Sequence, residues 1–388
     1  GTALLVHTLR MLGAEVSYRI PHRLKDGYGL HQKYVEELSR EKTGVLVTVD
    51  LGISCATEVE LAQSLGMDVI ITDHHTVPDK VPRAFATLHP FLAATYPFKY
   101  LSGSGVAFKL ASALLKATKN EDFIPCLTDL ASLGTVADCV SLSGENRALV
   151  KLGLEQMKQS KWDGLRAILK NAGAWGKEFS THTIGFQIGP RLNASGRIDS
   201  PYWSLQTLLA EGDSALEKSA KLEELNRKRQ DMMENIMREA DVSLNHEQAL
   251  LIAAGPWPSG VVGLVAGRLQ EKYGKPAFIM EDRGDELIGS ARSLPGFHCV
   301  DALKAAEACL LKFGGHEQAA GFHLKKENYA RFQEILQTKA AAFFKKTPLK
   351  PSLKIDLTLS PEDLTLENCQ KGAGFAPFGV GNETPLFL

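Results

Sequence analysis

The stretch "MDVIITDHH", residues 67–75, is a run of apolar residues that ends on one Asp and two His. Apolar and β-branched residues of this kind, in a short run, are typical of a buried β-strand. Three consecutive titratable side chains at the exit of such a strand lose hydration energy that packing alone does not restore. The stretch therefore predicts a buried strand whose end carries a functional site.

The residues around this stretch alternate between helix and strand patterns. A helix at about 2–12 precedes a strand at "VSYRI", a helix at about 31–40 precedes the strand "GVLVTVD", and a helix at about 55–65 precedes "MDVIITD". Strands separated by single helices favour βαβ units, in which the strands run parallel. The fold class that we predict is α/β, with a parallel sheet in the first domain.

Three further segments are predicted after this first domain, which covers residues 1–205. Residues 214–240 contain no Gly or Pro and are densely charged, which indicates a long connecting helix within 206–243. A second, smaller α/β domain begins at "ALLIAAG" and occupies 244–346. Two Pro followed by an alternating strand pattern predict the start of a mostly β module at 347–388.

The composition is that of an ordinary globular protein, with 44% apolar and 23% charged residues. No apolar run is long enough to span a bilayer. The six Cys are scattered without CxxC spacing, which predicts reduced thiols and a cytoplasmic location. The net charge of −1 argues against a protein that coats nucleic acid through its bulk charge, although a local basic groove stays open.

Carboxylates follow two neighbouring strands of the predicted sheet. Asp50 ends one strand and Asp73 ends the next, where His74 and His75 follow it directly. The carboxyl ends of parallel strands share one edge, so we expect these side chains to converge. Asp138, in "LGTVADCV", is a further carboxylate among small and apolar residues.

Each of these residues also has a simpler interpretation. Asp50 could merely end a strand, Asp138 could cap a helix, and a His pair alone is weak evidence for a metal. Their combination favours a metal site. Carboxylates with an imidazole and no thiolate suit Mn²⁺ or Mg²⁺ rather than zinc.

Several motifs carry a family resemblance. The stretches "TVDLGIS", "ITDHH", "GPRLNASGR", "KFGGHEQAAGF" and "PFGVGNETPLF" occur in this order over essentially the whole chain. With them the chain resembles the DHH phosphoesterase superfamily and, within it, the RecJ branch of single-strand-specific DNA exonucleases. The resemblance implies a 5′→3′ exonuclease of DNA repair and recombination, which hydrolyses single-stranded DNA to mononucleotides at a site with two Mn²⁺ or Mg²⁺ ions. It also implies an OB-like fold for the last module.

The resemblance further implies roles for individual residues. Asp50 would bridge the metals, His74 and Asp138 would be further ligands, Asp73 would support the cluster as a catalytic residue, and His75 would lie against the scissile phosphate. Ser290 and Arg292 alternate along one predicted strand, which places both on one face. The nucleic-acid-binding residues implied by the family are Arg23, Ser290 and Arg292 in a 5′-phosphate pocket, Arg191, Asn193 and Arg197 along the entering strand, and Gly314, Gly315 and His316 in a second phosphate contact.

Partners and alternatives complete the expectations. We expect single-stranded DNA as substrate, single-strand-binding protein and a helicase as partners, no membrane, and a monomer. The alternatives are a nanoRNase or cyclic-dinucleotide phosphodiesterase, and a scaffold that binds nucleic acid without hydrolysing it. The family's Asp-x-Asp motif would precede Gly1, so we also expect the chain as given to lack a sheet strand and to be an incomplete enzyme with a truncated last module.

Overall fold

The computed structural model describes residues 1–22, 26–346 and 353–388. Within them the chain forms two compact units, Gly1–Leu225 together with Lys354–Leu388, and Asn226–Leu353. The α/β class and the long helix that the sequence predicts are confirmed. The predicted domain boundaries stay predictions.

The described strands fall into two sheets. The strands are β1 (Val45–Val49), β2 (Asp68–Thr72), β3 (Ala86–Leu88), β4 (Leu251–Gly255), β5 (Ala277–Asp282), β6 (Glu286–Arg292), β7 (Leu310–Gly315) and β8 (Ala319–Lys325). β1, β2 and β3 are parallel and adjacent in that order in the first unit. β4 to β8 form a mixed sheet in the second unit, in the order β4-β5-β6-β8-β7.

The α-helices surround these sheets. They are α1 (Thr2–Met11), α2 (Gln32–Arg40), α3 (Ala56–Ser64), α4 (Gly103–Ala117), α5 (Thr128–Ala137), α6 (Gly144–Met157), α7 (Asp163–Asn171), α8 (Gly189–Ile198), α9 (Tyr202–Leu209), α10 (Gly212–Ser243), α11 (Ser259–Tyr273), α12 (Cys299–Ala305), α13 (Tyr329–Lys346) and α14 (Leu366–Ala373). Among the described residues, no helix is both long and apolar enough to cross a membrane.

The register of the first sheet brings its carboxyl ends together. Val49 on β1 pairs with Thr72 on β2, so Asp50 and Asp73 are the next residues on adjacent strands. The β-branched residues of both strands pack well on a pleated sheet, and Val69 and Ile71 are fully buried beneath α2 and α3. The predicted convergence at this edge therefore follows from the parallel register.

The strand predicted at "VSYRI" is wrong. Residues 12–22 form no strand in the structure. The backbone N–H of Ile20 donates instead to the Tyr202 hydroxyl at 3.1 Å, and the Tyr18 ring lies against the Tyr202 ring. The apolar residues of this segment are thus covered by α9 rather than by a neighbouring strand.

A helical core supports the first sheet. α4, α5 and α6 pack together with α1, and fully buried side chains such as Leu4, Leu115, Leu127 and Leu165 fill the space between the helices. This core fixes α4 and α5, whose ends lie at the carboxyl edge of the sheet. It therefore provides rigid support for the residues described below.

The long helix α10 lies within the segment predicted to connect the domains. Residues within 206–209 belong to α9, and α10 starts only at Gly212, which has a φ of +54°. A positive φ is easily adopted by glycine, so Gly212 allows the chain to turn between the two helices. Leu222, Leu225 and Ile236 of this helix are buried.

The second unit has a core of its own. β4 and β5 run parallel and are joined by α11, whereas β6, β7 and β8 are antiparallel to their neighbours. Phe278, Phe322 and Phe332 stack at the centre, between the sheet and α13.

The described part of the predicted β module, residues 353–388, contains α14 and two isolated β-bridges. Residues 354–388 pack within the first unit. The OB-like character of this module stays a prediction.

Candidate metal centre and phosphate-binding residues

Asp50 lies in a strained position between β1 and the N-terminus of α4. Its φ is +63°, and its backbone N–H donates to the carbonyl of Thr72 at 2.9 Å. A Cβ atom at Gly103, the first residue of α4, would lie only 2.1 Å from Asp50 Oδ1. A non-glycine residue with positive φ is uncommon and is found often at functional sites. The absent side chain at Gly103 leaves the room that the Asp50 carboxylate occupies.

Asp73 is a buried carboxylate whose oxygens all have partners. Oδ1 accepts hydrogen bonds from the backbone N–H of His74 at 2.8 Å and lies 2.7 Å from His75 Nδ1, while Oδ2 accepts from the Ile53 N–H at 2.9 Å. Burial alone would raise the pKa of Asp73, but these hydrogen bonds, led by the His75 ring, lower the pKa to about 2. Asp73 is therefore ionised and fixes the turn that follows β2.

His74 lies between two carboxylates. Its Nε2 atom is 3.1 Å from Asp50 Oδ1 and 3.3 Å from Asp138 Oδ2. The atom is buried and makes no hydrogen bond of correct geometry. Burial lowers the pKa of His74, but Asp50 and Asp138 outweigh that effect and raise the pKa above its ordinary value. The space between these three groups thus favours a positive charge.

Asp138 comes from a different part of the chain, at the C-terminal end of α5. Burial raises the pKa of its carboxyl group, although His74 opposes this shift. Within the described residues, neither Asp50 nor Asp138 has a Lys or Arg nitrogen within 4.0 Å. No Lys or Arg of the described residues therefore neutralises Asp50 or Asp138, and the basic side chain beside both of them is His74.

This donor set fits a divalent metal ion. Asp50, His74 and His75 each present a ligand atom, and these atoms lie within 4.8 Å of one another. The Nε2 atom of His74 is buried without a hydrogen bond and lies between two carboxylates that have no Lys or Arg partner among the described residues. Carboxylate oxygens with one or two imidazoles suit hard or borderline ions such as Mg²⁺ and Mn²⁺.

His75 is held by its Nδ1 atom and more than half exposed at its side chain. The hydrogen bond with Asp73 raises the pKa of His75, which favours the form with a proton on both ring nitrogens. Its Nε2 atom is then available as a donor to an anionic group.

His89 is a residue that our sequence analysis missed. It directly follows β3 and is 3% exposed. Its Nδ1 atom accepts from the backbone N–H of Phe91 at 3.2 Å, so Nε2 carries the proton and donates to the His75 carbonyl at 2.8 Å. The same reasoning about strand ends that identified Asp50 and Asp73 could have identified His89, had the short third strand been recognised.

The residues predicted along the entering DNA strand lie on α8. Arg191 is half-buried and pairs with Glu223 at 2.6 Å, and it also donates to the Gln187 carbonyl at 2.7 Å. These bonds give Arg191 a structural role within the first unit. Asn193 is exposed, and Arg197 is half-buried in the last turn of the helix. Contact of any of the three with DNA stays a prediction.

Ser290 and Arg292 share one face of β6, as their alternation predicts. A Cβ atom at Gly263 on α11 would lie 3.1 Å from Ser290 Oγ and 3.3 Å from Arg292 Nη2, so both side chains extend over this glycine. A hydroxyl and a guanidinium side by side can together bind a phosphate. Arg23, the third residue predicted for this pocket, lies outside the described residues.

The predicted phosphate contact at Gly314, Gly315 and His316 lies at the turn between β7 and β8. Gly315 has a φ of +148°, and a Cβ atom there would lie 2.4 Å from the Ala319 carbonyl oxygen. The His316 N–H donates to the same carbonyl at 2.8 Å. Gly315 is thus required by a tight turn, whereas Gly314 and His316 are exposed, and their contact with phosphate stays a prediction.

Comparison with known proteins gives two family matches. Residues 1–135 match the DHH family, N-terminal domain, and residues 247–342 match the DHHA1 domain. The chain is 37% identical over 397 residues to the single-stranded-DNA-specific exonuclease RecJ of Bacillus subtilis, covering 100% of this chain and 50% of that protein. It is 34% identical over 413 residues to the RecJ of Escherichia coli, covering 100% of this chain and 72% of that protein.

Solved structures agree with these matches. A crystal structure of exonuclease RecJ bound to manganese has a TM-score of 0.76 and 36% identity, covering 88% of this chain and 86% of that one. The RecJ of Thermus thermophilus in complex with Mn²⁺ has a TM-score of 0.86 and 33% identity, covering 100% of this chain and 56% of that one. The chain thus spans about half the length of some of the relatives that it matches.

Proposed function

Because the chain belongs to the family of RecJ single-stranded-DNA-specific exonucleases, we propose that it hydrolyses single-stranded DNA to mononucleotides from the 5′ end. The observation that carries this proposal is the placement of His74 Nε2 between Asp50 and Asp138, neither of which has a Lys or Arg partner among the described residues. A scaffold without hydrolytic function would have no need for such an arrangement, since uncompensated carboxylates reduce stability.

Asp50, His74 and Asp138 are the residues that would hold the metal, Mn²⁺ or Mg²⁺, and the predicted site has two such ions. When bound, divalent ions polarise a phosphodiester and lower the pKa of a bound water. Asp73 keeps the His75 ring in place through the contact between Oδ1 and Nδ1. The Nε2–H group of His75 can then donate to an oxygen of the scissile phosphate.

In the second unit, Ser290 and Arg292 form the proposed contact with a 5′-phosphate. The support is their common position on one face of β6, where Ser290 Oγ and Arg292 Nη2 both lie beside Gly263. A charge-assisted contact of this kind contributes roughly 1.5–3 kcal/mol.

The wider role is also a proposal. We propose a function in DNA repair and recombination in the cytoplasm, as a monomer that acts with single-strand-binding protein and a helicase. All six Cys are free thiols, which is consistent with a reducing compartment.

The test compares opposite ends of two neighbouring strands of the first sheet. In the full-length protein, Asp50→Asn, at the residue that follows β1, should abolish Mn²⁺-dependent cleavage of 5′-phosphorylated single-stranded DNA and weaken Mn²⁺ binding measured by titration calorimetry. The matched control is Asp68→Asn, because Asp68 is exposed at the opposite, amino end of the neighbouring strand β2. The control should retain both properties.

Two outcomes would contradict the proposal. Equal cleavage by the Asp50→Asn variant and the wild type would show that the site lies elsewhere. Cleavage of dinucleotides or cyclic dinucleotides without cleavage of long single strands would favour the nanoRNase or phosphodiesterase alternative. Duplex DNA serves as the negative control in every assay.

A further inference from the structure

The motif "FAPFGVGN", residues 375–382, has no part in the function proposed above. We refer to these residues as the C-terminal loop. They follow α14 and pack within the first unit, where the contacts span 197 residues from Thr181 and 229 residues from Arg147. A loop so far along the sequence that returns to the first unit requires a physical explanation.

Hydrogen bonds from α6 and from the segment before the π-helix (Thr183–Ile188) hold the loop in place. Arg147 Nη2 lies within hydrogen-bond distance of three successive carbonyls, those of Gly374 at 3.3 Å, Phe375 at 2.8 Å and Ala376 at 3.1 Å. The hydroxyl of Thr181 donates to the Phe378 carbonyl at 2.6 Å. The guanidinium thus binds the carbonyls of the residues that follow α14. A positive charge is favourable there because it lies near the C-terminal end of a helix.

The loop is also closed by its own side chains. The side-chain amide of Asn382 donates to the carbonyls of Phe375 and Pro377, each at 2.9 Å. The backbones of Gly379 and Asn382 exchange two hydrogen bonds, both of 2.9 Å. The loop is therefore a preformed element rather than a flexible tail.

This preformed loop lies directly on the segment that follows Asp138. The N–H of Leu142 donates to the Val380 carbonyl at 2.6 Å. A Cβ atom at Gly379 would lie 2.6 Å from Leu142 Cδ1, and one at Gly381 would lie 2.3 Å from Ser141 Oγ. The loop can approach Ser141 and Leu142 this closely only because glycine occupies both positions.

Only two residues, Cys139 and Val140, separate Asp138 from this contact. Cys139 has a φ of +57°, so the chain turns sharply immediately after the carboxylate. On the other side, the buried amide of Asn146 donates to the Ser141 carbonyl at 3.0 Å. Ser141 is thus held from both sides, and the path of the chain out of Asp138 is fixed by the C-terminal loop and by α6.

We propose that the C-terminal loop is a positioning element for Asp138 and that Gly381 and Arg147 are its positioning residues. The loop keeps the Asp138 carboxylate 3.3 Å from His74 Nε2, in the orientation in which both can bind the same ion. This inference rests on the proposed function, because it concerns the same metal site. It assigns to residues 375–382 a role in metal binding although they lie outside the matched DHH domain, residues 1–135.

The experiment substitutes Gly381 by Ala in the whole chain. The added Cβ meets Ser141 and also imposes a side chain on a φ of +71°, so Ser141 and the turn before it must shift. Residues that orient metal ligands typically contribute 10–100-fold to metal affinity or activity. We expect Mn²⁺ binding to weaken by about tenfold or more, and kcat to fall while the KM for single-stranded DNA stays unchanged. Raised Mn²⁺ should restore part of the lost turnover.

The matched control is Gly372→Ala, because a Cβ atom at that position in α14 meets nothing within 4 Å. This variant should bind Mn²⁺ like the wild type. Far-UV circular dichroism and thermal unfolding establish that each variant is folded at the assay temperature.

A second variant protects the test against misfolding. Arg147→Gln removes the contacts with three carbonyls without introducing a clash, and it should also weaken Mn²⁺ binding. If the Arg147→Gln and Gly381→Ala variants fold and bind Mn²⁺ with unchanged affinity, this inference is wrong, but the proposed function is not affected. A wild-type chain that binds no Mn²⁺ would overturn the proposed function, and this inference with it.

Discussion

Each unit contains two parallel strands joined by a helix, with carboxylates at their carboxyl ends. The two units differ in the charged groups that surround these carboxylates. In the first unit, β1 and β2 are parallel, joined by α3, and followed by Asp50 and Asp73. In the second unit, β4 and β5 are parallel and joined by α11, and β5 ends on Glu281 and Asp282. Both pairs of parallel strands thus carry carboxylates at their carboxyl ends.

The difference lies in the partners of these carboxylates. Glu281 lies 2.8 Å from Arg283 and accepts from the N–H of Ser259 at 3.1 Å, and Asp282 lies 2.7 Å from Lys326. Burial would raise the pKa of Glu281, but Arg283 outweighs it and lowers the pKa, and Lys326 lowers the pKa of Asp282. At the first edge, burial raises the pKa of Asp138. Carboxylates at these two edges are therefore structural where a Lys or Arg balances them, and candidate ligands where no Lys or Arg of the described residues does.

The largest effect should come from removing a carboxylate that has no Lys or Arg partner among the described residues. Asp138→Ala is expected to reduce hydrolysis of single-stranded DNA by roughly 1,000-fold or more, because several kcal/mol of charge stabilisation in the transition state are lost. Thermal unfolding should change little, since the substitution also relieves repulsion with Asp50. Single-turnover kinetics at saturating Mn²⁺ measure the effect, and near-wild-type turnover would show that charge balance does not identify the site.

A buried carboxylate outside both sheet edges provides a test of this comparison. Asp129 is fully buried in the helical core without an ion pair among the described residues, yet it is satisfied by Ser160 Oγ at 2.7 Å, Trp162 Nε1 at 2.9 Å and the Leu130 N–H at 2.6 Å. Burial raises the pKa of Asp129 from 3.8 to about 6. This carboxylate lacks a cation but has a complete set of hydrogen-bond donors, so we expect a purely structural role.

The raised pKa of Asp129 determines how its contribution to stability changes with pH. The folded protein binds the proton more tightly than the unfolded chain, so the contribution of Asp129 to stability is largest below pH 4 and is lost as the pH rises to about 6. The loss amounts to about 3 kcal/mol, at 1.36 kcal/mol per pKa unit. Urea unfolding of the wild type and Asp129→Asn at pH 4 and pH 7 measures it. A parallel pH dependence in both proteins would contradict the assignment.

The smallest effect should come from the balanced edge of the second unit. Glu281→Gln is expected to cost about 1 kcal/mol of unfolding free energy, because it weakens a partly exposed ion pair and the contact with the first turn of α11. Mn²⁺ affinity should remain that of the wild type. Denaturant unfolding and calorimetry test both statements, and a large loss of Mn²⁺ binding would extend the metal site to the second unit.

Part of the site could be predicted because its determinants are local. Alternation and β-branched residues mark the strands, and the parallel register follows from single helices between them. The same rule places Asp50 next to Asp73, His74 and His75. The rule failed at "VSYRI", where the side chains of α9 rather than a strand cover the segment.

The sequence by itself determined where β1 and β2 form and end, and to which family the chain belongs. Only the tertiary structure decided that Asp138 lies 3.3 Å from His74, that Lys326 neutralises Asp282 across 44 residues, and that residues 375–382 pack beside Asp138. The physical reason is the distance along the chain over which each kind of interaction acts. Backbone hydrogen bonding and side-chain alternation repeat over a few residues and can be recognised in the chain, whereas the balance of charges depends on which distant groups packing brings within about 4 Å.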